Sequence, residues 1–496
     1  MGPIRSTEPK LFHYGVNLEK RVRASNPLRR IQQVIDFSFV RRQVADLYGL
    51  DGHESEDPIV IAKLMLLLFM DDISSERELM RIVAERMDYL WFLGFDLDDD
   101  IPNHSVLSKA RRRWGLETFQ AIFIIIVEAC VKAGLVDGRK IHMDGSVVDA
   151  NASQDSVRGG PVELIAALRQ AYRREEAKLD DVEPEEGATI ERTTDRPHRT
   201  VSKTDPDAVI MRKRGQGVAR PRYKSHRAID DRYGVITAVI TTPADINENE
   251  KMVELIEQHE AHSGAKVGVV VGDAQYGTND NFAECQRRGI RSHVANLKAT
   301  YKNDAPTRGI FTEEQFQYDA ASDSYICPAG QRLKRAPSIQ DHFQVYRGNR
   351  NICGSCALRA QCTRAKRWRE IKRHIHHERI REARAQSRSG WGKRDRRRRK
   401  HLMEGSFADA AINHGFKRAR WRRLGNVQIQ DLLVAGCQNI RMLVQHSGCR
   451  HAAAMAMVAE QHVNIQLHRD GYNGLKPGLF AALCFSRRNC AAGTVL

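Results

Sequence analysis

A short apolar run that ends in a single acid constrains this chain more than any other feature. The stretch is "KVGVVVGDAQYGTNDNF", residues 266–282. Its apolar and glycine residues, from Val267 to Gly272, predict a strand that is buried on both faces. Asp273 follows directly, and a small polar turn comes after it. A carboxylate in this position either caps the turn or faces another group that compensates its charge.

The order of elements around this strand predicts an α/β fold with a mixed sheet. Between residues 138 and 295 the pattern gives a strand ending at Asp144, a charged excursion at 151–220, and a hairpin. A helix, the strand before Asp273, a second helix and a final strand follow. Helices that alternate with strands after an antiparallel pair are typical of a mixed sheet with helical cover. In such a sheet two strand ends lie side by side, which would bring Asp144 and Asp273 together.

Two carboxylates so close need a cation between them, because like charges repel and raise a pKa. Hard oxygen ligands suit Mg²⁺ or Mn²⁺, and two such ions can hold the attacking and leaving oxygens of a phosphoryl transfer. Glu404 is the predicted third carboxylate, because it opens an apolar-faced helix directly after the basic run "RRRRK". Asp149, Asp245 and Asp280 are rivals, and a surface or capping role is the alternative for each acid.

The first 135 residues have the apolar spacing of helices. Two of these helices, joined by a turn, have the outline of a helix-turn-helix, and the second is short and basic. Its basic residues are predicted to contact DNA. They are Lys109, Arg111, Arg112 and Arg113. An ordinary helical bundle with a cationic surface is the alternative.

The charge balance favours a polyanionic partner. The chain has 79 Lys and Arg against 62 Asp and Glu, a net charge of +17, and nucleic acid is the leading candidate. Residues 379–399 are almost all basic or neutral and predict an interaction segment, with a solvated linker as the alternative. No apolar stretch in the sequence reaches the roughly 18 residues that span a bilayer, so no membrane role is expected. Ten widely spread cysteines favour a reducing cytoplasm.

Several segments together resemble bacterial insertion-sequence transposases of the DDE type, over roughly residues 20–445. Among them are "HMDGSVVDANAS", "VVGDAQYG", "YKSHRAIDD" and "EGSFADAAINHGFKRARWRRL". The resemblance implies a ribonuclease-H-like catalytic domain in which Asp144, Asp273 and Glu404 are catalytic and hold Mg²⁺ or Mn²⁺, with two ions expected. It implies double-stranded DNA as the partner, both element ends and target, and a bacterial, nucleoid-associated protein. A homodimer or larger assembly on DNA is expected from the need to hold two ends.

The predicted organisation has five parts. They are a helical N-terminal domain at 1–135, the first part of the catalytic domain at 136–299, a basic Cys-containing insertion at 300–395, the closing catalytic helices at 396–446, and a tail of unassigned role at 447–496.

One signature of related transposases, Tyr-x2-Arg-x3-Glu-x6-Lys, is altered here. With Glu404 as its acid, the chain has Arg397, Lys400 and Ala411 in place of the Tyr, Arg and Lys. Lys400 is expected to hold a phosphate in place of the arginine. Lys417 or Arg418 is expected to replace the missing lysine. Together with Arg397 these residues are predicted to contact DNA.

Four cysteines of the insertion form a second pattern. They are Cys327, Cys353, Cys356 and Cys362. The Cys-x2-Cys spacing is typical of metal sites, and four thiolates suit a structural Zn²⁺. The alternative is four reduced thiols in a small subdomain.

These features predict an insertion-sequence transposase. It would bind the ends of its own element, activate water for strand cleavage, and use the freed 3′-hydroxyl for strand transfer. One alternative is a metal-dependent nuclease that cuts and never joins. The other is a catalytically inactive DNA-binding protein from a decayed element.

Overall fold

The computed structural model describes residues 17–48, 55–161, 198–212, 218–295 and 309–469, with four single positions between 161 and 198. Side chains are described as far as residue 446. The chain divides into two compact units, Met1–Arg441 and Met442–Leu496. The whole tail predicted at 447–496 therefore lies outside the residues whose side chains are described.

The N-terminal region is helical, as predicted. Its helices are α1 (Leu18–Arg21), α2 (Pro27–Val34), α3 (Ser38–Val44), α4 (Pro58–Met70), α5 (Glu76–Glu85), α6 (Met87–Leu93) and α7 (Ser105–Lys132). Helix α4 is apolar and buried along most of its length, and α3, α5, α6 and α7 pack against it. Asp57 caps its start by accepting a hydrogen bond from the Ile59 amide, and Pro58 occupies the first helical position.

Helix α7 is in fact two helical stretches. Gly115, with φ 66° and ψ 176°, breaks it after the basic segment. By length and composition alone, α7 is the one described helix apolar enough to cross a membrane. However, apolar side chains on it, among them Phe119, Phe123 and Val127, are buried inside the protein. The buried core helix of a soluble protein passes the same test of length and hydropathy.

The predicted mixed sheet is confirmed. Its strands are β1 (Lys140–Asp149), β2 (Val157–Pro161), β3 (His198–Ser202), β4 (Val209–Met211), β5 (Arg220–Asp230), β6 (Ile236–Pro243), β7 (Val269–Val271) and β8 (Arg291–Ser292). The order is β2-β3-β4-β5-β1-β7-β8, and β6 pairs with β5 as the predicted hairpin. Helices α8 (Met252–Ser263) and α9 (Asn279–Arg287) separate the later strands. The described parts of the 151–220 excursion are not separate from the fold, because they supply β2, β3 and β4 to the sheet.

A second, antiparallel sheet follows, which the sequence pattern had not indicated. Its strands are β9 (Gln317–Asp319), β10 (Ser324–Ile326), β11 (Arg332–Gln340), β12 (Phe343–Arg347) and β13 (Glu370–His374), in the order β13-β12-β11-β10-β9. Two short helices, α10 (Arg350–Gly354) and α11 (Arg359–Cys362), lie between β12 and β13. The Cys-containing insertion is thus a small β-sheet module.

The basic run at 379–399 is helical and not a linker. It forms most of α12 (His377–Arg388) and the first half of α13 (Gly390–Asn413), and α14 (Leu424–Arg469) comes after them. The buried Arg227 guanidinium on β5 fastens the start of α14 to the sheet, donating to Asp431 at 2.7 Å and to Gln438 at 2.9 Å. Asp395 links α13 to the sheet, because it accepts a hydrogen bond from Lys140 on β1 at 3.2 Å. Helix α13 is therefore held against β1.

Candidate active site

Two adjacent parallel strands deliver Asp144 and Asp273 to one edge of the sheet. Strand β1 pairs with β7 in a register that sets His142 opposite Val271. Two residues further along each strand, the same register leads to Asp144 and Asp273. Asp273 also caps the turn that follows it, because its Oδ1 accepts from the Gln275 amide at 2.8 Å. The juxtaposition expected from the sequence is therefore present.

A third carboxylate, Glu248, joins them from a separate segment. It begins the short 3-10 helix Glu248–Lys251 that leads into α8. Its carboxyl group lies directly over Gly145, where an added Cβ would lie 2.9 Å from both Glu248 Cδ and Oε1. A side chain at position 145 would therefore force the Glu248 carboxyl group to shift. Sequence reasoning missed Glu248, because nothing in "NENEKMVE" distinguishes it from the acids beside it.

The three acids form a group that suits a metal ion. One ligand oxygen from each of Asp144, Glu248 and Asp273 lies within 4.8 Å of the others. Among the residues that the structure describes, one other group of three meets that distance, Asp280 with His342 and His374. In addition, Glu248 Oε2 is buried and has no hydrogen-bond partner. A buried carboxylate oxygen without a donor is costly, and a divalent cation would satisfy it.

The local electrostatics reflect the crowding of these acids. Burial, then the charges of Asp273 and Asp144, raise the pKa of Glu248 to about 7. Burial also raises the pKa of Asp144, although the Arg399 guanidinium opposes this shift. Arg399, on α13, donates to Asp144 Oδ2 at 2.7 Å. The hydroxyl of Tyr276 is buried and has no hydrogen-bond partner. Burial raises the pKa of Tyr276, and the charges of the three carboxylates raise it further.

These shifts predict how stability depends on pH in buffers free of added divalent ions. The folded-state pKa of Glu248 is raised above its ordinary value of 4.5. Protonated Glu248 therefore makes its full contribution to the free energy of unfolding below about pH 4.5. This contribution is lost as the pH rises through about 7. Glu248→Gln is expected to raise the free energy of unfolding by about 1–3 kcal/mol at pH 8 and by much less at pH 5.

Denaturant unfolding at both pH values checks this expectation. The matched control is Glu254→Gln in α8, whose half-exposed carboxylate pairs with Lys251 at 2.7 Å. It should change the free energy of unfolding by less than about 1 kcal/mol at either pH. An equal effect of Glu248→Gln at pH 5 and pH 8 would show that Glu248 ionises normally.

Glu404 lies on α13 outside this group. It is exposed, and it follows Arg399 by five residues. Five residues in an α-helix correspond to about 7.5 Å along the axis and about 140° around it. The helix face that brings Arg399 to Asp144 therefore turns Glu404 away from the cluster. Its catalytic role stays a prediction.

Two of the three rival acids, Asp149 and Asp280, have structural partners, and Asp245 lies outside the carboxylate group. Asp149 accepts from the buried Arg222 at 2.7 Å, and its backbone bridges to Arg418. Asp280 is exposed and lies 3.3 Å from ring nitrogens of both His342 and His374. His374 Nδ1 already accepts the His376 amide, so its Nε2 carries the proton of the neutral ring. That tautomer donates to Asp280 and is not the form that binds a metal.

The predicted DNA-binding residues fall into two sets. Those at the closing helices are exposed, namely Arg397, Lys400, Lys417 and Arg418. Lys417 reaches Ser146 on β1 at 2.7 Å, so this set flanks the strand that carries Asp144. At the start of α7, Lys109, Arg112 and Arg113 are exposed. The predicted Arg111 contact needs correction, because that side chain is 8% exposed, pairs with Glu76 and stacks 3.8 Å over the Trp421 ring.

Substitutions at Arg111 and Lys109 distinguish a structural role from a role in DNA contact. Arg111→Ala leaves a mostly buried carboxylate without its cation, so it should lower the free energy of unfolding by about 2–4 kcal/mol. Lys109→Ala removes an exposed charge and should change that free energy by less than about 0.5 kcal/mol. If Lys109 contacts a phosphate, its loss should also reduce the salt slope of DNA binding by about 1. Denaturant unfolding and fluorescence anisotropy at several salt concentrations measure both effects.

Comparison with known proteins adds two family matches. Residues 16–113 match the family described as Transposase domain (DUF772), and residues 326–444 match the family described as Transposase DDE domain. These two matches support a DDE-type transposase. The second match includes Glu404 and all four cysteines of the insertion. Asp144, Glu248 and Asp273 lie outside both matched ranges, so their roles depend on the geometry described above.

Comparisons with curated sequences and with solved structures add no further family assignment. No curated protein sequence matches this transposase. A solved structure titled as the cryo-EM structure of the piggyBac transposase synaptic complex with hairpin DNA is similar at a TM-score of 0.37 and 8% identity. That match covers 95% of this chain and 86% of that one. The described architecture, a mixed sheet with helices preceded by a helical N-terminal region, is the α/β class predicted from the sequence.

Proposed function

We propose that this transposase cleaves and joins DNA at the cluster of Asp144, Glu248 and Asp273, with Mg²⁺ or Mn²⁺ as cofactor. The observation that carries the proposal is the convergence of three carboxylates from three chain segments, within 4.8 Å, around a buried oxygen without a donor. The donor set is all oxygen, which fits these hard cations. When bound, two such ions would stabilise the charge that develops on the attacking and leaving oxygens of a phosphoryl transfer.

The protein residues have distinct tasks in this proposal. Asp144 and Asp273 are fixed by adjacent strands, so their carboxylates are positioned before any ligand arrives. Glu248 adds a third negative charge, and its carboxyl group lies over Gly145 where another residue would have its Cβ. Arg399 orients Asp144 through its hydrogen bond of 2.7 Å. The resemblance to DDE transposases implies a further ligand role for Glu404, and for that role Glu404 would have to turn toward the cluster when DNA binds.

The exposed cations around the cluster would bind the DNA backbone. Arg397 and Lys400 lie on α13 beside Arg399, and Lys417 contacts the strand that carries Asp144. Phosphate contacts of this kind position a duplex without reading its sequence. The partners proposed are the two ends of the element and the target DNA. Holding both ends at once calls for a dimer or a larger assembly on DNA.

A cleavage and joining assay tests the proposal. Purified protein would be incubated with Mg²⁺ or Mn²⁺ and with duplexes copied from the DNA that flanks its own gene. Cleavage at the element ends followed by joined products is the expected result. Cleavage without joining would favour the metal-dependent nuclease, and end binding without cleavage would favour the inactive DNA-binding protein. A scrambled duplex of equal length is the control for end recognition.

A further inference from the structure

The four cysteines of the insertion face one cavity of the second sheet module. Cys327 follows β10, Cys353 lies in α10, Cys356 lies between α10 and α11, and Cys362 ends α11. All four are free and partly exposed. The other described cysteines differ, because Cys130, Cys285 and Cys437 are fully buried in apolar surroundings that raise the pKa of each to about 12. The chain therefore has one set of accessible thiols that line the same cavity, distinct from the buried core thiols.

The turn at Cys327 is shaped like a metal-ligand turn. In "CPAGQ", the Gly330 amide donates to the Cys327 carbonyl at 2.8 Å and the Gln331 amide donates to Cys327 Sγ at 3.3 Å. Gly330 has φ +74°, which allows the turn to close. An amide hydrogen bond to sulfur stabilises the thiolate and fixes its direction, as the partners of metal ligands do.

The surroundings of the other thiols suit a negatively charged centre. Arg359 donates to the Cys353 carbonyl at 2.8 Å, and Arg369 donates to the Cys362 carbonyl at 3.2 Å. These guanidinium groups offset the charge that four thiolates would bring, which exceeds that of one divalent ion. Gly348 lies against the Cys353 thiol, and a Cβ added there would be 2.7 Å from the sulfur. The glycine at position 348 therefore leaves room for the Cys353 thiol.

The module has a small apolar core. Its main cluster consists of five buried side chains, with Cys327 and Cys362 packed against it. The core residues are Phe316, Tyr325, Leu333, Tyr346 and Ile371. A core of this size rarely supports a β-sheet module alone, and small modules commonly add disulfides or a structural metal. The thiols are not paired as disulfides.

We propose that Cys327, Cys353, Cys356 and Cys362 bind one structural Zn²⁺ that joins the Cys327 turn to the α10–α11 segment. In the described structure their sulfurs are not a group within 4.8 Å of one another. Tetrahedral coordination, with zinc–sulfur distances of about 2.3 Å, would therefore draw the two segments together. The site is separate from the carboxylate cluster, which offers oxygen ligands to harder cations. Zinc binding should stabilise the module from which α12 and α13 continue.

Zinc content of the full-length protein tests the proposal. The protein would be purified under reducing conditions without chelator, and elemental analysis should find about one zinc per chain. Cys353→Ser/Cys356→Ser should lose it. Cys285→Ala, which changes a thiol outside the module, should keep it. Asp273→Asn should keep it too, so the result does not depend on the carboxylate cluster.

A second measurement covers the case in which the double variant fails to fold. Wild-type protein reconstituted with Co²⁺ should show the visible absorption of tetrahedral cobalt together with sulfur-to-metal charge transfer. A thiol-blocking mercurial should release the zinc of the wild-type protein. Zinc that persists in Cys353→Ser/Cys356→Ser would overturn the proposal, and so would a wild type that takes up neither zinc nor cobalt at these thiols.

Discussion

Asp273→Asn should abolish both DNA cleavage and joining, with a loss of at least about 10³-fold in rate. The metal-bound site is expected to supply several kcal/mol of transition-state stabilisation, and each 1.36 kcal/mol is a factor of ten. Asparagine keeps the side-chain oxygen that accepts from the Gln275 amide, so the turn should stay capped. It also removes one of three crowded negative charges. The variant should therefore fold at least as well as the wild type while losing the chemistry.

Asp280→Asn is the matched control for this experiment. Asp280 lies seven residues further along, is 73% exposed at its side chain, and was a rival for the same role in the sequence. Its substitution should leave the cleavage rate within about twofold, as expected of a surface position. The measurement is single-turnover cleavage of an element-end duplex in Mg²⁺ and in Mn²⁺. Full activity in Asp273→Asn, or equal losses in both variants, would refute the assignment of Asp273.

The pairing of Asp144 with Asp273 was predictable because it depends on local patterns. Each acid directly follows an apolar run with strand character, and parallel neighbouring strands bring such ends to one edge of a sheet. Because each apolar run is buried in the sheet, its orientation is fixed. This orientation sets the direction in which the acid at its end points. The predicted hairpin between β5 and β6 rests on the same kind of local signal. What the pattern could not give was the set of strands β2, β3 and β4, whose segments are too charged and irregular to stand out.

Glu248 was not predictable for a different reason. Its position over Gly145 depends on how the segment after β6 passes over β1, which is a tertiary property. In the linear sequence it is one of several acids at the start of a helix, where acids are common. Arg111 shows the converse problem. It belongs to a basic run that suggests DNA contact, yet packing against Trp421 and pairing with Glu76 remove it from the surface.

Glu248→Gln and Glu404→Gln should separate metal binding from DNA chemistry. Glu248 belongs to the described cluster, so its substitution should weaken Mn²⁺ binding by DNA-free protein by at least about ten- to a hundred-fold. Glu404 is exposed and turned away from that cluster, so Glu404→Gln should leave the same affinity within about twofold. Both variants should lose strand cleavage, because Glu248 belongs to the cluster and the resemblance to DDE transposases implies a catalytic role for Glu404.

Electron paramagnetic resonance of free Mn²⁺ measures the affinity, and the end-duplex assay measures cleavage. Glu254→Gln is the control for both. Mn²⁺ binding should also weaken below about pH 7, because Glu248 must lose its proton to bind the ion. Two results would contradict this scheme. Unchanged affinity and cleavage in Glu248→Gln would reduce Glu248 to a buried neighbour. Equal loss of affinity in Glu404→Gln would mean that α13 brings Glu404 to the ion before DNA binds.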